Sequence, residues 1–267
     1  MTPVLELQDL HVLLCTHRHQ GVELVKGVSF SVYPGECLGI LGESGSGKSM
    51  SMKAAMGLLD HGFHVLGSAK FQGEELLGKS DEELRRLRGG QVGIILQNPM
   101  TCFDPLYRIG AQIAETFAAH NNWSKEDILQ RSLEMLGKMR IRNPEEVLEK
   151  YPHQLSGGER QRMLLAQVLC QEPDVLLLDE PGNHLDLRFQ QELFLLIDAW
   201  RREPGHAVVS VVHDLSLARK FGTHALLLSS GRGTYGEISA ILTPSALESA
   251  WQMDVVGWLR SLGDVWQ

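Results

Sequence analysis

The sequence lacks the features that mark several large classes of protein. Its four cysteines, Cys15, Cys37, Cys102 and Cys170, are scattered without a C-x-x-C pair. This spacing argues against a disulfide framework or a structural zinc site and fits a reducing compartment. Basic residues are not in excess either, since 25 lysines and arginines stand against 33 aspartates and glutamates, for a formal net charge of −8. A general surface for nucleic acid or anionic membranes, which needs a basic patch, is therefore disfavoured.

Long hydrophobic runs are missing as well. No stretch approaches the roughly 20 apolar residues that a membrane-spanning helix needs. Residues 1–6 do not form a basic segment followed by an apolar core. We therefore expect a cytosolic chain that needs separate membrane subunits for any role in transport. There is no internal repeat, low-complexity segment or heptad array.

The apolar residues that are present predict an α/β fold. At 267 residues with 43% hydrophobic side chains, the chain can form one large domain with a small appended part. Strands are predicted at 28–32, 37–41, 92–96, 175–178, 207–212 and 225–228. Helical patterns such as 190–200 separate the later strands, so we expect a parallel sheet covered on both faces. Residues 98–165 have helical spacing and few strand formers, which predicts a helical insertion.

A glycine-rich segment at 42–49 follows the strand at 37–41 and reads Gly-Glu-Ser-Gly-Ser-Gly-Lys-Ser. This G-x-x-x-x-G-K-S pattern is typical of a loop that surrounds nucleotide phosphates. Its backbone N–H groups point inward, Lys48 reaches the β- and γ-phosphates, and Ser49 offers its hydroxyl to Mg²⁺. A Gly/Ser turn that happens to contain a lysine is the alternative. The predicted binding residues are Gly42, Glu43, Ser44, Gly45, Ser46, Gly47, Lys48, Ser49 and Met50.

An acidic pair, Asp179 and Glu180, follows the apolar strand at 175–178. In nucleoside triphosphatases an aspartate at this place holds Mg²⁺, directly or through water, and an adjacent glutamate can polarise the attacking water. We expect Asp179 and Glu180 to take those roles. The alternative is that both residues cap the next helix.

A third motif is a glycine-rich turn before a helical pattern. Ser156 and Glu159 have capping-box spacing, so Gly157 and Gly158 are predicted in the first turn of a helix that continues through Val168. An exposed helix N-terminus can receive phosphate. Taken alone, the pattern also fits a capped structural turn.

In this order the three motifs resemble those of the nucleotide-binding subunits of ATP-binding cassette (ABC) transporters, over about residues 4–230. The resemblance implies an α/β P-loop NTPase fold of the ABC type, with a parallel-sheet core, an antiparallel β subdomain and a helical subdomain at about 98–165. The ATPase domain would occupy residues 1–230. Residues 231–267 would then form a C-terminal segment packed on the core, for which a regulatory or partner-binding surface is the alternative.

The resemblance also implies roles for single residues. Gln97 would sense Mg²⁺ and the attacking water, Asp186 would lie in a loop that crosses a dimer interface, and His213 would contact the γ-phosphate. His213 taken alone could be an ordinary histidine at a strand end. Glu180 would act as general base or polarise water, while Lys48 and Mg²⁺ neutralise the phosphate charge.

The implied mechanism is the closure of two ATPase subunits over two Mg-ATP molecules. Each glycine loop would face the other subunit's signature, residues 155–161. The expected partners are two membrane permease subunits and a second ATPase subunit that is related but not identical. A homodimer of this chain is the alternative to that second subunit. An extracytoplasmic substrate-binding protein is expected as an indirect partner. Nucleic acid is not expected. The chain would lie at the cytoplasmic face of the inner membrane as a peripheral subunit.

The expected cargo follows from the branch of the family. Residues 97–107 and 151–154 resemble the peptide/nickel importers. Many peptide ATPases of this branch carry a cysteine-containing C-terminal extension, whereas this sequence has no cysteine after Cys170. We therefore expect nickel or a metal chelate as cargo, and dipeptides or oligopeptides are the alternative.

Two positions depart from the family pattern. Residues 21–24 lack the aromatic residue that usually stacks on adenine, so adenine would bind weakly or use His17 or His19. Gly182 replaces a more usual threonine or serine without removing a catalytic group.

Cys15, His17 and His19 have residue types that suit a metal ion, although residues of a surface loop between the first two strands explain them more simply.

Two rival functions remain. A soluble ABC ATPase that acts on nucleic acid or ribosomes usually has a coiled coil, zinc modules or two cassettes, none of which the sequence shows. A regulatory subunit that does not hydrolyse ATP is disfavoured by the presence of Glu180 and His213.

Overall fold

The computed structural model describes residues 2–16, 19–96, 103–120, 123–183 and 185–257. The chain forms two compact units. Unit 1 combines Met1–Lys79 with Val211–Gln267, and unit 2 is Ser80–Ser210. The domain boundaries expected from the sequence stay a prediction.

Unit 1 contains an antiparallel sheet that includes the strand predicted at 28–32. Its strands are β1 (Leu5–Thr16), β2 (His19–Val32), β4 (Phe63–Phe71) and β5 (Glu74–Glu75), in the order β2-β1-β4-β5. Leu5 and Leu7 are buried on β1, but so are Leu10 and Val12, which have the opposite parity. A register shift between Leu7 and Leu10 accounts for this change, because a bulge moves later side chains to the other face.

A second group of strands in unit 1 forms its parallel core. Strand β3 (Cys37–Gly42) is buried along its whole length and pairs in parallel with β9 (His224–Ser229), which pairs antiparallel with β10 (Arg232–Glu237). Val212 follows β8 (Ala207–Val211), and its N–H donates to the carbonyl of Ile40 over 3.1 Å. The helices α1 (Lys48–Ala55) and α8 (Leu215–Phe221) follow β3 and β8 in the chain. The predicted alternation of buried strands and helices is confirmed here.

Up to residue 257, where the described part of the chain ends, the C-terminal part of unit 1 contains two short helices, α9 (Ile238–Ile241) and α10 (Pro244–Trp251). Leu247 and Ala250 of α10 are buried, and the Ser229 hydroxyl at the end of β9 donates to the Ala250 carbonyl over 3.3 Å. Helix α10 therefore packs against β9 through a few apolar side chains. Trp258 and Trp266 lie outside the described residues.

Unit 2 combines strands with a run of helices. Strand β7 (Val175–Asp179) lies between β6 (Val92–Ile95) and β8, and it is parallel to β6. The helical elements are α2 (Asp81–Gly90), α3 (Ile109–His120), α4 (Lys125–Lys138), α5 (Pro144–Leu148), a 3-10 helix at Pro152–Gln154, α6 (Gly157–Leu169) and α7 (Leu187–Arg201). In the part of the chain that the structure describes, no strand lies between β6 and β7. The helical character predicted for 98–165 is found in α3 to α6.

The interpretation of Cys15 as part of a surface loop is wrong, because Cys15 lies within β1, where its backbone N–H donates to Gly62. His17 is outside the described residues, and His19 is the first residue of β2. Within the described ranges, no group of three histidine, cysteine or acidic side chains could hold a metal ion. Within the same ranges, no helix has both the length and the apolar character needed to cross a membrane.

One histidine on the antiparallel sheet lies between two carboxylates. His11 Nδ1 is 2.6 Å from Glu23 Oε1, and its Nε2 is 3.0 Å from Asp9 Oδ1. The hydrogen bond to Glu23, together with the weaker contribution of Asp9, raises the pKa of His11 above its ordinary value, although desolvation opposes the shift. Because the pKa is raised in the folded state, protonated His11 stabilises the fold below the pKa of an unfolded histidine, about 6.5. This stabilisation disappears as the pH rises through the folded-state pKa.

We therefore expect His11→Gln to lower the melting temperature more at pH 6 than at pH 9. Thermal denaturation of both proteins at the two pH values measures the difference. His64→Gln, at an exposed position on β4 of the same sheet, is the matched control. An equal loss at both pH values would contradict a role for the imidazolium.

Candidate functional site

The glycine loop, residues 42–49, joins the end of β3 to the start of α1. Gly42, Gly45 and Gly47 all have positive φ, at 150°, 79° and 100°. A Cβ atom on Gly42 would lie 2.3 Å from the carbonyl oxygen of Leu228 and 2.7 Å from Ser46 Oγ. Only glycine fits this position, because the loop must turn sharply against the end of β9. The loop thus owes its shape to its glycines, as the sequence predicts.

Lys48 lies inside this loop and is 5% exposed. Its Nζ donates to the carbonyl oxygens of Gly42 over 2.8 Å and of Glu43 over 2.7 Å. The ammonium group is therefore held by the backbone of the same loop at the N-terminus of α1. This places a positive side chain next to the positive end of a helix dipole.

Three further features of the loop fit an anionic ligand. Gly47 precedes α1 with no side-chain cap, and the first turn of the helix contains no acidic residue. The Ser46 hydroxyl is buried and has no hydrogen-bond partner among the described residues. Backbone N–H groups at a helix N-terminus, a buried cation and a buried hydroxyl form a donor set that suits phosphate oxygens.

His213 belongs to the same unit. The hydrogen bond from Val212 to Ile40 puts His213 at the end of β3 where the glycine loop begins. Its side chain is exposed. The next residue, Asp214, caps α8 by accepting from the backbone of Ser216 over 2.7 Å and of Leu217 over 3.3 Å. His213 thus stands between a buried strand and a capped helix.

In unit 2, the acidic pair lies where β7 ends. Asp179 is the last residue of the strand and is fully buried, whereas Glu180 begins the turn that leads to α7 with a positive φ of 53°. The interpretation of the pair as helix caps is wrong, because Asp186 caps α7 by accepting from the Phe189 N–H over 3.0 Å.

The capping box predicted at Ser156 is confirmed. Ser156 Oγ accepts from the Glu159 N–H over 3.2 Å, and Glu159 Oε2 accepts from the Ser156 backbone over 2.9 Å and hydroxyl over 2.7 Å. These hydrogen bonds hold the pKa of Glu159 below its ordinary value. Gly157 and Gly158 form the first turn of α6, and a Cβ on Gly158 would lie 3.3 Å from the Phe189 ring.

The first turns of α6 and α7 are therefore neighbours. The guanidinium of Arg162 on α6 also lies 5.0 Å from the centre of the Phe189 ring on α7, and it pairs with Glu192 over 3.4 Å. Unit 2 thus brings Ser156, Gly157 and Gly158 next to the helix that Asp186 caps.

The predicted site residues fall into two sets. Unit 1 holds the glycine loop and His213, whereas unit 2 holds Asp179, Glu180, Asp186 and the residues at 156–158. Gln97 and His184 lie outside the described residues. The sequence interpretation overlooked Asn183, whose side-chain amide donates to Glu180 Oε2. A Pro-Gly-Asn sequence after an acidic residue is typical of a turn, and that signal could have pointed to the contact.

Comparison with known proteins identifies the family. The profile described as ABC transporter matches residues 25–183. The chain belongs to the ABC transporter family. A dimeric structure of the ATP-binding cassette MJ0796, bound to ADP and Pi, superposes with a TM-score of 0.78 at 25% identity, over 88% of this chain and 98% of that chain. The fold expected from the resemblance is therefore confirmed.

Similar sequences are named as peptide transport proteins. The oligopeptide transport ATP-binding protein OppD of Mycobacterium bovis is 40% identical over 87% of this chain. The matched region covers only 38% of the length of that protein. OppD of Escherichia coli is 37% identical, over 86% of this chain and 68% of that protein. The dipeptide transport ATP-binding protein DppD of Bacillus subtilis is 37% identical, over 87% of this chain and 70% of that protein. The preference for nickel is not supported by these names, which favour the peptide alternative.

The shape of the glycine loop gives a test by substitution. Gly42→Ala should weaken the binding of a nucleoside triphosphate by about tenfold or more, because strain of order 1–3 kcal/mol falls on the loop. Titration with a fluorescent ATP analogue measures this change. Gly90→Ala is the matched control, since its Cβ would meet no atom within 4 Å and its backbone φ is not positive. Equal affinities for wild type and Gly42→Ala would contradict the role of the loop.

Proposed function

We propose that this chain is the ATP-binding and ATP-hydrolysing subunit of a membrane importer for oligopeptides or dipeptides. The observation that carries the proposal is the glycine loop with Lys48 inside it, in a chain whose sequence matches the ABC transporter family. The names of the similar proteins support the choice of peptides as cargo.

The loop residues from Gly42 to Met50 would bind the phosphates of ATP. Lys48 would exchange its contacts with the loop carbonyls for phosphate oxygens, and this exchange costs little because the ammonium is already desolvated and in place. Bound Mg²⁺ would supply further neutralisation of phosphate charge. The residues that would hold the ion are Ser49, Asp179 and Gln97, whose oxygen atoms suit this hard cation.

Glu180 would accept the proton of the attacking water, while His213 and Gln97 would position the water and the γ-phosphate. Asp179 is fully buried at the end of β7, and carboxylate oxygens are ligands that suit Mg²⁺, which supports its role as a ligand of the cation. Asp179 is the last residue of the buried strand β7 and Glu180 directly follows it, which is where α/β proteins position catalytic side chains.

A second ATPase subunit would complete each site. Ser156, Gly157, Gly158 and Asp186 would contact ATP or the loop of that subunit, and their neighbouring helix N-termini support a shared role. The dimeric cassette among the similar structures supports such an assembly. Two membrane permeases and an extracytoplasmic binding protein would complete the importer, with the ATPase subunits at the cytoplasmic face of the membrane.

The two halves of the proposed chemistry can be separated by two substitutions. We expect Lys48→Ala to weaken ATP binding itself. Glu180→Gln should keep binding but lower hydrolysis by at least about 10²-fold, since it removes a group that accepts a proton. Equilibrium binding and release of phosphate measure the two effects. Unchanged turnover in both variants would contradict the site.

The cargo is tested by purifying the chain from its native membrane with the proteins that accompany it. Recovery of permease subunits, and ATP hydrolysis that is stimulated by dipeptides or oligopeptides with the binding protein, would support the proposal. Nickel chelates serve as the matched control. Stimulation by nickel chelates alone would contradict peptide import, and recovery of ribosomes or nucleic acid instead of permeases would contradict an importer.

A further inference from the structure

The turn that follows β7 holds Glu180 at two places. The backbone N–H of Asn183 donates to the Glu180 carbonyl over 3.1 Å, and the Asn183 side-chain amide donates to Glu180 Oε2. One residue thus fixes both the main chain and the carboxylate of Glu180. The positive φ of Glu180 allows this arrangement, since it turns the chain back so that residue 183 faces residue 180.

Hydrogen bonds also connect this turn to α7. Gln190 Nε2 donates to the Gly182 carbonyl over 2.9 Å, and the Leu185 N–H donates to the same oxygen over 3.2 Å. Gly182 is buried, and a Cβ there would lie 3.4 Å from Gln190 Cγ and from Phe194 Cε2. The backbone at Gly182, next to Asn183, therefore packs against the side chains of Gln190 and Phe194 on α7. Asp186 caps the N-terminus of this helix.

We propose that Asn183 is the positioning residue for Glu180 in ATP hydrolysis. A glutamate side chain has three rotatable bonds, and a hydrogen bond to Oε2 from a residue of the same turn restricts them. The carboxylate is then oriented before the nucleotide binds, and this removes part of the entropic cost of reaching the reactive geometry.

The inference rests on the proposed hydrolysis. In that reaction the water oxygen forms a bond to the γ-phosphorus, the bond from this phosphorus to the bridging oxygen of ADP breaks, and Glu180 accepts the proton that the water loses. Asn183 touches neither the phosphorus nor the water in this account. It acts only through the carboxylate of Glu180.

Two substitutions remove the donor without removing a core residue, because the Asn183 side chain is exposed. Asn183→Ala removes the amide, and Asn183→Asp keeps its shape but replaces the N–H donor by a carboxylate. We expect each to lower kcat by about tenfold or more and to leave KM and the dissociation constant of an ATP analogue within about twofold. The melting temperature should stay close to that of wild type. Gln191→Ala, at an exposed position on α7, is the control.

A double-mutant cycle with Glu180→Gln gives the decisive result. If Asn183 acts through Glu180, adding Asn183→Ala to Glu180→Gln should lower the residual rate no further, because residues that act as a unit are not additive. The same tenfold loss in both backgrounds would overturn the proposal. So would a wild-type kcat for Asn183→Asp, or weaker nucleotide binding and a lower melting temperature that account for the whole loss of rate.

The failure of this inference is distinguishable from that of the proposed function. If Glu180→Gln loses activity while Asn183→Asp keeps it, Glu180 is catalytic and Asn183 does not position it. If Glu180→Gln hydrolyses ATP at the wild-type rate, the assignment of Glu180 itself is wrong, and the proposal for Asn183 falls with it.

Discussion

The buried ammonium of Lys48 is the constraint on which the candidate site depends. Moving a charged amine out of water costs several kcal/mol unless hydrogen bonds replace those of the solvent. The carbonyl groups of Gly42 and Glu43 supply such bonds, and the loop can bring them to Nζ only because its glycines adopt positive φ. The burial of β3, the direction of α1 and the contact of Gly42 with β9 all support this one arrangement.

In unit 2, the N-termini of α6 and α7 lie next to each other. Ser156 accepts from the Glu159 N–H in the first turn of α6, and Asp186 accepts from the Phe189 N–H in the first turn of α7. The Phe189 ring lies next to Gly158. These caps define where each helix starts, so the polar residues before them have fixed positions. The turn that begins at Glu180 is linked to α7 by the hydrogen bond from Gln190 to the Gly182 carbonyl.

Much of this could be predicted from the sequence, because the relevant signals are local. Apolar runs predicted the strands, the spacing of Ser156 and Glu159 predicted a capping box, and the glycine pattern predicted the loop around Lys48. The sequence does not predict the register shift between Leu7 and Leu10, after which side chains of the opposite parity are buried. It also does not predict that Cys15 belongs to β1. Both features depend on pairing with strands that are distant in the sequence. The preference for nickel over peptides is not supported by the names of the similar proteins. That preference rested on the absence of a cysteine after Cys170 and not on any side chain that would contact a cargo.

The contact between Asn183 and Glu180 also depends on the folded structure, although these two residues are close in the sequence. The Pro-Gly-Asn sequence after Glu180 indicates a turn that brings the two residues close together, but it does not give the direction of either side chain. That geometry follows from the positive φ of Glu180 and from the fixed carbonyl of Gly182, which are properties of the folded turn.

Amide hydrogen exchange of the full chain, with and without Mg-ATP, measures whether the glycine loop binds the phosphates of ATP. We expect exchange to slow in the segment from Gly42 to Met50, because the backbone N–H groups of the loop would donate to phosphate oxygens around Lys48. Unchanged exchange across that segment, at an ATP concentration that saturates binding, would contradict it.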